Sequence, residues 1–100
     1  MAVKLTGHQI EVVLSTLDGW SQSSGKIRKE YKFPDFIAAS MFVTGANLEA
    51  EKANHHPELF QQYTMVRIEL TTHDVGGISE LDLRLAKKVD ARALPLIGKS

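Results

Sequence analysis

The first periodic run of apolar residues follows Thr6 and has helical spacing. Its members recur at three- and four-residue steps, which places them on one face of a helix: Ile10, Val13, Leu14 and Leu17. Thr6 and Gln9 have the spacing of a capping box, in which each side chain accepts a hydrogen bond from the other residue's backbone N–H. The pattern predicts a first helix from about Gly7 to Leu17.

An alternating segment comes next and predicts a β-hairpin. Gly19 ends the helical pattern, Trp20 begins a short extended piece, and the turn residues Ser23–Gly25 separate it from a second one. In the second piece, one face holds Ile27, Lys29, Tyr31 and Phe33, and the other holds Arg28, Glu30 and Lys32. The alternation predicts a hairpin with one mostly apolar face.

The second helical segment ends close to a pair of histidines. Pro34–Asp35 is typical of a helix start, and apolar residues then return at helical steps: Phe36, Ala39, Phe42, Val43, Ala46 and Ala50. Pro57 disfavours helical geometry at the residue before it. We expect a helix that runs to about Asn54, ends near His55 and leaves His56 extended.

A strand with one buried face follows Pro57. Its apolar residues alternate with polar ones, and they are Val66, Ile68 and Leu70. The strand leads into Thr72 and His73, and Gly76–Gly77 permits a sharp turn directly after them. We therefore expect His73 at the rim of the sheet.

A last helix follows Ser79. Ser79 and Asp82 have the spacing of a helix cap, and the apolar residues behind them are Leu81, Leu85, Ala86 and Val89. Pro95 and Gly98 predict a loose tail. Strands and helices alternate without the long crossovers that parallel strands need. This order predicts one α+β domain over residues 1–100, in which helices pack on one face of an antiparallel sheet in two layers.

The composition restricts the function. Twelve Lys and Arg balance twelve Asp and Glu, so no overall charge attracts nucleic acid or an anionic membrane. Tyr31 and Phe33 lie among basic residues, but their parity places both rings on the apolar face, away from bases. The absence of cysteine excludes disulfides and thiolate nucleophiles. With no signal-peptide or membrane-spanning pattern, we expect a soluble, cytoplasmic protein without nucleic-acid or membrane partners.

Three of the four histidines lie where predicted elements end, and this is the main functional signal. His55 and His56 follow the second helix, and His73 follows a strand. Side chains at such ends reach solvent and substrate, and imidazole gives and takes protons near neutral pH. Chance placement of surface histidines is the alternative to an acid–base site.

Two carboxylates have spacings that suit histidine partners. Glu51 lies four residues before His55, on the same helix face, and can orient or charge that imidazole. Asp82 can serve His73 in the same way while it caps the last helix. Each carboxylate also has a simpler explanation, which is a solvated helical ion pair for Glu51 and the cap alone for Asp82.

The three histidines match the ligand count of a catalytic zinc ion. However, His55 and His56 are adjacent, and adjacent side chains diverge in both helices and strands. Chelating pairs usually have spacings that put both side chains on one face. We therefore expect no metal at this site.

Several motifs together resemble one enzyme family. They are Glu51–Glu58 with its His-His-Pro, Thr71–Asp74, Gly76–Asp82, Gly19–Trp20, and Phe33–Phe36 with Phe42. These residues resemble the pterin-4a-carbinolamine dehydratases over about Leu5 to Val89. The resemblance implies a four-stranded antiparallel sheet with helices on one face, in the order α-β-β-α-β-β-α.

That order requires a further strand near Glu58–Gln62. Both parities of this segment contain apolar residues, so its register stays open. Leu59 stands where many relatives have Trp, a departure that concerns the wall of the pocket and none of the acid–base groups.

The activity that the resemblance implies is removal of water from a 4a-hydroxytetrahydropterin to give a quinonoid dihydropterin. This reaction helps to recycle the cofactor of aromatic amino-acid hydroxylases and needs no metal or redox cofactor. The implied catalytic groups are His55, His56 and His73, with Glu51 and Asp82 as carboxylate partners. The implied substrate contacts are His55, His56, Pro57, Thr72, His73 and Asp74.

Animal members of this family have a second function, dimerisation of a homeodomain transcription factor through a helix surface. Ile37, Met41 and Leu48 lie off the main apolar stripe of the second helix. Such residues suit a protein partner or contacts between copies of the chain. We expect a homo-oligomer, either a dimer or a tetramer, and a transcription-factor role only if this is an animal protein.

Overall fold

Residues 2–97 form three helices and four strands in the computed structural model. In chain order, the elements are α1 (Gly7–Leu14), β1 (Ser21–Ser23), β2 (Lys26–Lys32), α2 (Phe36–Ala53), β3 (Glu58–Gln62), β4 (Met65–Leu70) and α3 (Glu80–Ile97). All paired strands are antiparallel, and the sheet order is β1-β2-β4-β3. The predicted α+β architecture and its order of elements are confirmed.

The helices cover one face of the sheet. Completely buried strand residues such as Ile27 and Ile68 belong to the same apolar cluster as Phe42 of α2 and Val89 of α3. The other face carries charged side chains that form ion pairs across β2, β3 and β4. The core therefore lies between the sheet and the helices, and the charged face is solvated.

Helix α1 begins as predicted and ends earlier. Thr6 and Gln9 form the capping box, with donor–acceptor distances of 2.8 and 3.1 Å. The prediction that this helix reaches Leu17 is wrong, because Ser15 and Thr16 donate their hydroxyls to backbone carbonyls of the last turn. Leu17 is nevertheless buried in the core.

The β1–β2 hairpin turns at Ser24–Gly25, where both residues have positive φ. Tyr31 is buried, as its parity predicts. Lys29 lies on the same face, and its Nζ donates to Oδ1 of Asp90 at 3.0 Å. Asp90 also accepts hydrogen bonds from the Tyr31 hydroxyl and from Nε1 of Trp20. A shared carboxylate thus allows a lysine on the core side of β2.

Strand β3 fills the position that the resemblance requires. Leu59 and Gln61 are partly buried, Leu59 packs against the core, and Phe60 is exposed. Leu59 is paired with Ile68 of β4. The register that the sequence left open is therefore decided by pairing with β4.

Helix α3 continues through Pro95 to Ile97, so the prediction of a loose tail from Pro95 is wrong. Ala93 is buried and Leu96 packs against the core. These apolar contacts keep the last turn helical, although Pro95 has no N–H to donate. Gly98 lies outside the described residues. No helix within residues 2–97 combines the length and apolar composition needed to cross a membrane.

Candidate active site

Helix α2 ends in a tight turn that gives two adjacent histidines different surroundings. Asn54 adopts the left-handed conformation, with φ 51° and ψ 43°, which Asn and Gly tolerate best. The next backbone N–H, that of His55, donates to the carbonyl oxygen of Ala50 at 3.0 Å. His56 lies outside the helix, as expected. The side chain of His55 is only 11% exposed, whereas that of His56 is 62% exposed.

A loop after β4 brings His73 to the same region. The N–H of Thr72 donates to the carbonyl oxygen of Gly77 at 2.8 Å and so closes this loop. Between them, His73–Val75 forms a 3₁₀ turn that ends at Gly76, whose φ of 66° favours glycine. His73 is exposed on this turn, at the rim of the sheet as predicted.

An open cavity of about 700 Å³ lies between the two loops. Its lining residues are Ala2, Asn54, His55, His56, Thr71, Thr72, His73, Asp74, Val75 and Leu81. Pro57 is the one predicted substrate contact that is not among them. Glu51 and Asp82 do not line the cavity either, and Asp82 is completely buried. The three histidines therefore meet at one cavity.

The buried carboxylate of Asp82 holds His55. Its Oδ1 lies 2.6 Å from Nε2 of His55. Its Oδ2 accepts from Oγ1 of Thr72 at 2.7 Å and from the backbone N–H of Ser79 at 2.9 Å. An ionised carboxylate can only accept, so whenever Asp82 is ionised Nε2 of His55 donates to it, and the neutral form of the ring then has no proton on Nδ1.

Nδ1 of His55 makes no hydrogen bond to another residue of the described range 2–97. No partly or fully buried residue within residues 2–97 has a sealed side-chain nitrogen or oxygen without a partner. The hydrogen bonds of the His55 ring within this range use Nε2 only. A ring held in this tautomer can accept a proton at Nδ1.

The pairings that the spacing allowed, Glu51 with His55 and Asp82 with His73, are not the ones in the structure. Glu51 contacts His56, with 3.0 Å between Oε1 and Nε2, and Asp82 contacts His55. The four-residue helical spacing does not apply to Glu51 and His55, because the chain leaves the helix at Asn54. With Glu51 80% exposed and His56 62% exposed, water competes for this contact, which is therefore weak. No carboxylate within residues 2–97 is paired with His73.

Some lining residues were missed from the sequence. Asn54 directly precedes His55, and Thr71 directly precedes Thr72. This adjacency to predicted contacts was the sequence signal that could have identified them. Ala2 reaches the cavity because the N–H of Leu5 donates to the carbonyl oxygen of Ile78 at 2.8 Å, a contact between distant parts of the chain. Leu59, the position where many relatives have Trp, does not line this cavity.

The cavity brings imidazole rings together without a metal-binding cluster among residues 2–97. Among the described residues, no group of three or more His, Cys, Asp or Glu side chains is positioned to hold a metal ion. Nε2 of His55 and Nε2 of His56 each contact a carboxylate. What the arrangement offers a ligand is a set of three imidazoles at one cavity, one of them held by a buried carboxylate.

Comparisons with known proteins match most of the chain. The family model described as pterin 4 alpha carbinolamine dehydratase matches residues 3–92. A protein of Solibacter usitatus named "Putative pterin-4-alpha-carbinolamine dehydratase" is 48% identical over 93 residues, 93% of this chain and 98% of that protein. A Rhizobium johnstonii protein of the same name is 45% identical over 86 residues, 84% of this chain and 85% of that protein.

Two solved structures are also similar. One, described as a transcriptional coactivator/pterin dehydratase from Brucella melitensis, has a TM-score of 0.88 and 40% identity, and covers 91% of this chain and 99% of its own. The other is a pterin dehydratase-like protein described as a RuBisCO assembly factor in the alpha-carboxysome. With a TM-score of 0.62 and 23% identity over 81% of this chain and 89% of its own, it shares the fold alone.

Proposed function

Because the chain belongs to the pterin 4 alpha carbinolamine dehydratase family, we propose that it removes water from a 4a-hydroxytetrahydropterin. The product is a quinonoid dihydropterin, which makes the protein a hydro-lyase in the recycling of the pterin that aromatic amino-acid hydroxylases use. One observation carries this proposal: His55, His56 and His73 line a single cavity, and a buried carboxylate backs the first of them.

The proposed reaction needs a proton acceptor and a proton donor. The C4a–O bond breaks as the hydroxyl takes up a proton and leaves as water. N5 loses its proton, and a C4a=N5 double bond forms. One proton is added and one is removed, with no change in oxidation state, so positioned imidazoles can carry out the whole step.

His55 is the proton acceptor in this proposal. Its Nε2–H donates to Asp82, and Nδ1 is left to take the N5 proton. Asp82 keeps the ring in this tautomer and compensates the positive charge that develops on it, as the carboxylate does in a Ser-His-Asp triad. His56 or His73, whose rings are exposed at the cavity, protonates the departing hydroxyl.

The substrate lies between the two loops in this proposal. Thr72 and Asp74 line one wall and offer polar groups to the donors and acceptors of a pterin ring. Pro57 acts indirectly, since it disfavours helical geometry at His56 and keeps that ring at the cavity. Glu51 supports His56 from the surface.

The test is a stopped-flow measurement of the disappearance of the 4a-hydroxypterin intermediate, compared with its spontaneous decay. We expect the wild-type protein to accelerate the decay and a strong chelator to leave the rate unchanged, because the proposal uses no metal. A wild-type rate equal to the spontaneous rate would overturn the dehydratase proposal. Activity that is lost on chelation and restored by zinc would overturn the metal-free mechanism.

A protein-interaction role is the second candidate. The exposed side chains of Ile37, Met41 and Leu48 on α2 favour it, with exposed fractions of 64%, 56% and 51%. The Brucella melitensis relative is also described as a transcriptional coactivator. Contacts between copies of the chain account for the same residues, so we place homo-oligomerisation first and confine transcription-factor dimerisation to an animal protein. An oligomeric wild type without dehydratase activity would favour the interaction role.

A further inference from the structure

Ser79 lies behind the cavity and makes one contact that helix capping does not explain. It is completely buried and does not line the cavity. Its backbone N–H donates to Asp82, and its Oγ accepts from the N–H of Leu81 at 3.2 Å, so the predicted cap of α3 is present. The same Oγ also lies 2.6 Å from Oγ1 of Thr72. The cap does not require this contact.

Counting donors gives the direction of every hydrogen bond in the cluster. Ser79 Oγ accepts from the N–H of Leu81 and still has its own proton to give. When Asp82 is ionised, it can only accept from Oγ1 of Thr72, so the proton between the two hydroxyls comes from Ser79. Thr72 then gives its single hydroxyl proton to Oδ2 of Asp82. In the reverse direction, Oγ1 of Thr72 and Oδ2 of Asp82 would face each other at 2.7 Å without a proton between them.

Burial makes this direction strongly preferred. Thr72 is 4% exposed, and Ser79 and Asp82 are completely buried. Hydrogen bonds are stronger in such surroundings, and an unpaired polar group is more costly there than in water. The Ser79 hydroxyl therefore controls the orientation of the Thr72 hydroxyl, which in turn binds the carboxylate that holds His55.

We propose that Ser79 is a positioning residue for His55. Its hydroxyl orients Thr72, and Thr72 together with the Ser79 backbone N–H holds Asp82 so that His55 keeps its proton on Nε2 and leaves Nδ1 bare. The effect on His55 depends on the hydrogen bonds alone. The effect on turnover rests on the proposed dehydratase function. Ser79 itself lies outside the cavity and does not touch substrate.

The decisive variant is Ser79→Ala, compared with Asp35→Ala as a matched control. Asp35 caps α2 by accepting from the N–H of Ala38 at 2.8 Å, and the described hydrogen bonds do not connect it to the cluster. Both variants lose a helix cap, so both should lower the unfolding midpoint. Only Ser79→Ala should change which nitrogen of the His55 ring carries the proton.

Nitrogen NMR of isotope-labelled protein, with the His55 signals assigned by their loss in His55→Ala, reports the tautomer. We expect the Nε2–H form in the wild type and in Asp35→Ala, and a tautomer mixture in Ser79→Ala. The kcat of Ser79→Ala should fall about tenfold, the lower end of the loss found when the partner that orients a metal-bound histidine is removed, with KM unchanged. Ser79→Thr, which keeps the hydroxyl, should retain the wild-type tautomer and rate.

Thr72→Val removes the hydroxyl that joins Ser79 to Asp82 and keeps a side chain of similar shape. This variant should also disturb the His55 tautomer, so it provides the test if a Ser79 variant does not fold. A Ser79→Ala protein that loses stability as Asp35→Ala does, but keeps the His55 tautomer and kcat, would reduce Ser79 to a helix cap and overturn the proposal. If the wild type is not a dehydratase, the NMR result still decides the positioning role. Failure of the positioning role and failure of the dehydratase proposal therefore give different results.

Discussion

At the scale of single residues, the adjacent histidines differ in what their removal leaves behind. His55 covers a carboxylate that is completely buried, so truncation of the ring leaves Oδ1 of Asp82 without its partner. His56 and its partner Glu51 are both exposed, and water replaces either of them. Loss of His55 should therefore affect stability as well as activity, and loss of His56 should affect activity alone.

We expect His55→Ala to slow dehydration by about 100-fold or more and to lower the free energy of unfolding by about 1–3 kcal/mol, the cost of an unpaired buried acceptor. His56→Ala and His73→Ala should also slow dehydration, with stability changed by at most about 0.5 kcal/mol. Glu51→Gln should reduce the rate less than His55→Ala, because Glu51 carries no proton in the reaction. Stopped-flow kinetics and urea unfolding measure both effects, and three fully active Ala variants would place the acid–base site elsewhere.

Tyr31 is a buried phenol beside a carboxylate. Burial raises the pKa of Tyr31, and the hydrogen bond to Asp90 and the negative charge of Asp90 raise it further. In the unfolded chain, the tyrosine pKa is about 10. Above that pH the unfolded chain releases this proton while the folded chain retains it, so the free energy of unfolding falls as the pH rises.

We expect the unfolding midpoint of the wild type to fall with increasing pH above about 10, and to fall less steeply in Tyr31→Phe. Tyr63→Phe is the matched control, since Tyr63 is 71% exposed, and it should decline as the wild type does. The chain has two tyrosines, so Tyr31 is the only one left in Tyr63→Phe. Its tyrosinate absorbance in this variant should appear only when the protein unfolds. Ionisation of Tyr31 in the folded protein near its ordinary pKa would contradict this prediction.

At the scale of elements, the end of α2 determines which histidine faces the buried carboxylate. Asn54 turns the chain with a positive φ, and the helix cannot continue to His55. The turn thus breaks the helical spacing between Glu51 and His55 and directs the His55 ring toward Asp82 on α3. The same turn leaves His56 beside Glu51.

We expect Asn54→Ala to lower the free energy of unfolding by about 1–2 kcal/mol, because alanine lacks the short polar side chain with which Asn tolerates the left-handed region. Asn54→Gly should be as stable as the wild type, since glycine is the preferred residue at this position. Urea unfolding measures both variants, with Lys52→Ala in the last turn of α2 as the control for an added alanine. Equal stability of Asn54→Ala and Asn54→Gly would show that the turn is not strained.

At the scale of the whole molecule, α2 has apolar residues on two faces. Ala39, Phe42 and Ala46 are completely buried against the sheet, and Ile37 and Met41 are largely exposed. Exposed apolar patches on a small protein mark contact surfaces. The second face therefore predicts association of the chain.

We expect light scattering at micromolar concentration to give at least twice the chain mass of 11.1 kDa. Met41→Lys should shift the mass toward the monomer, because a buried charge opposes association. Val12→Lys, at an exposed apolar position on α1, serves as the control and should leave the mass unchanged. A wild-type monomer would remove the basis of the prediction.

The sequence by itself determined the features that depend on near neighbours. The capping box of Thr6 and Gln9, the alternation of β4 and the end of α2 before Pro57 all involve residues within a few positions of one another. Steric and hydrogen-bond preferences at that range are the same in most folds. For this reason, the local patterns predicted most elements and the placement of three histidines at element ends, whereas the strand at Glu58–Gln62 followed only from the family resemblance.

Only the tertiary structure decided which groups pair inside the site. His55 and Asp82 are 27 positions apart, and they meet because α3 packs against α2 and the loop after β4. Spacing favoured Glu51 for His55, since a local pattern contains no information on a carboxylate delivered by another helix. The persistence of α3 past Pro95 has the same origin, because core contacts made by Leu96 compensate for a residue that is a local helix breaker.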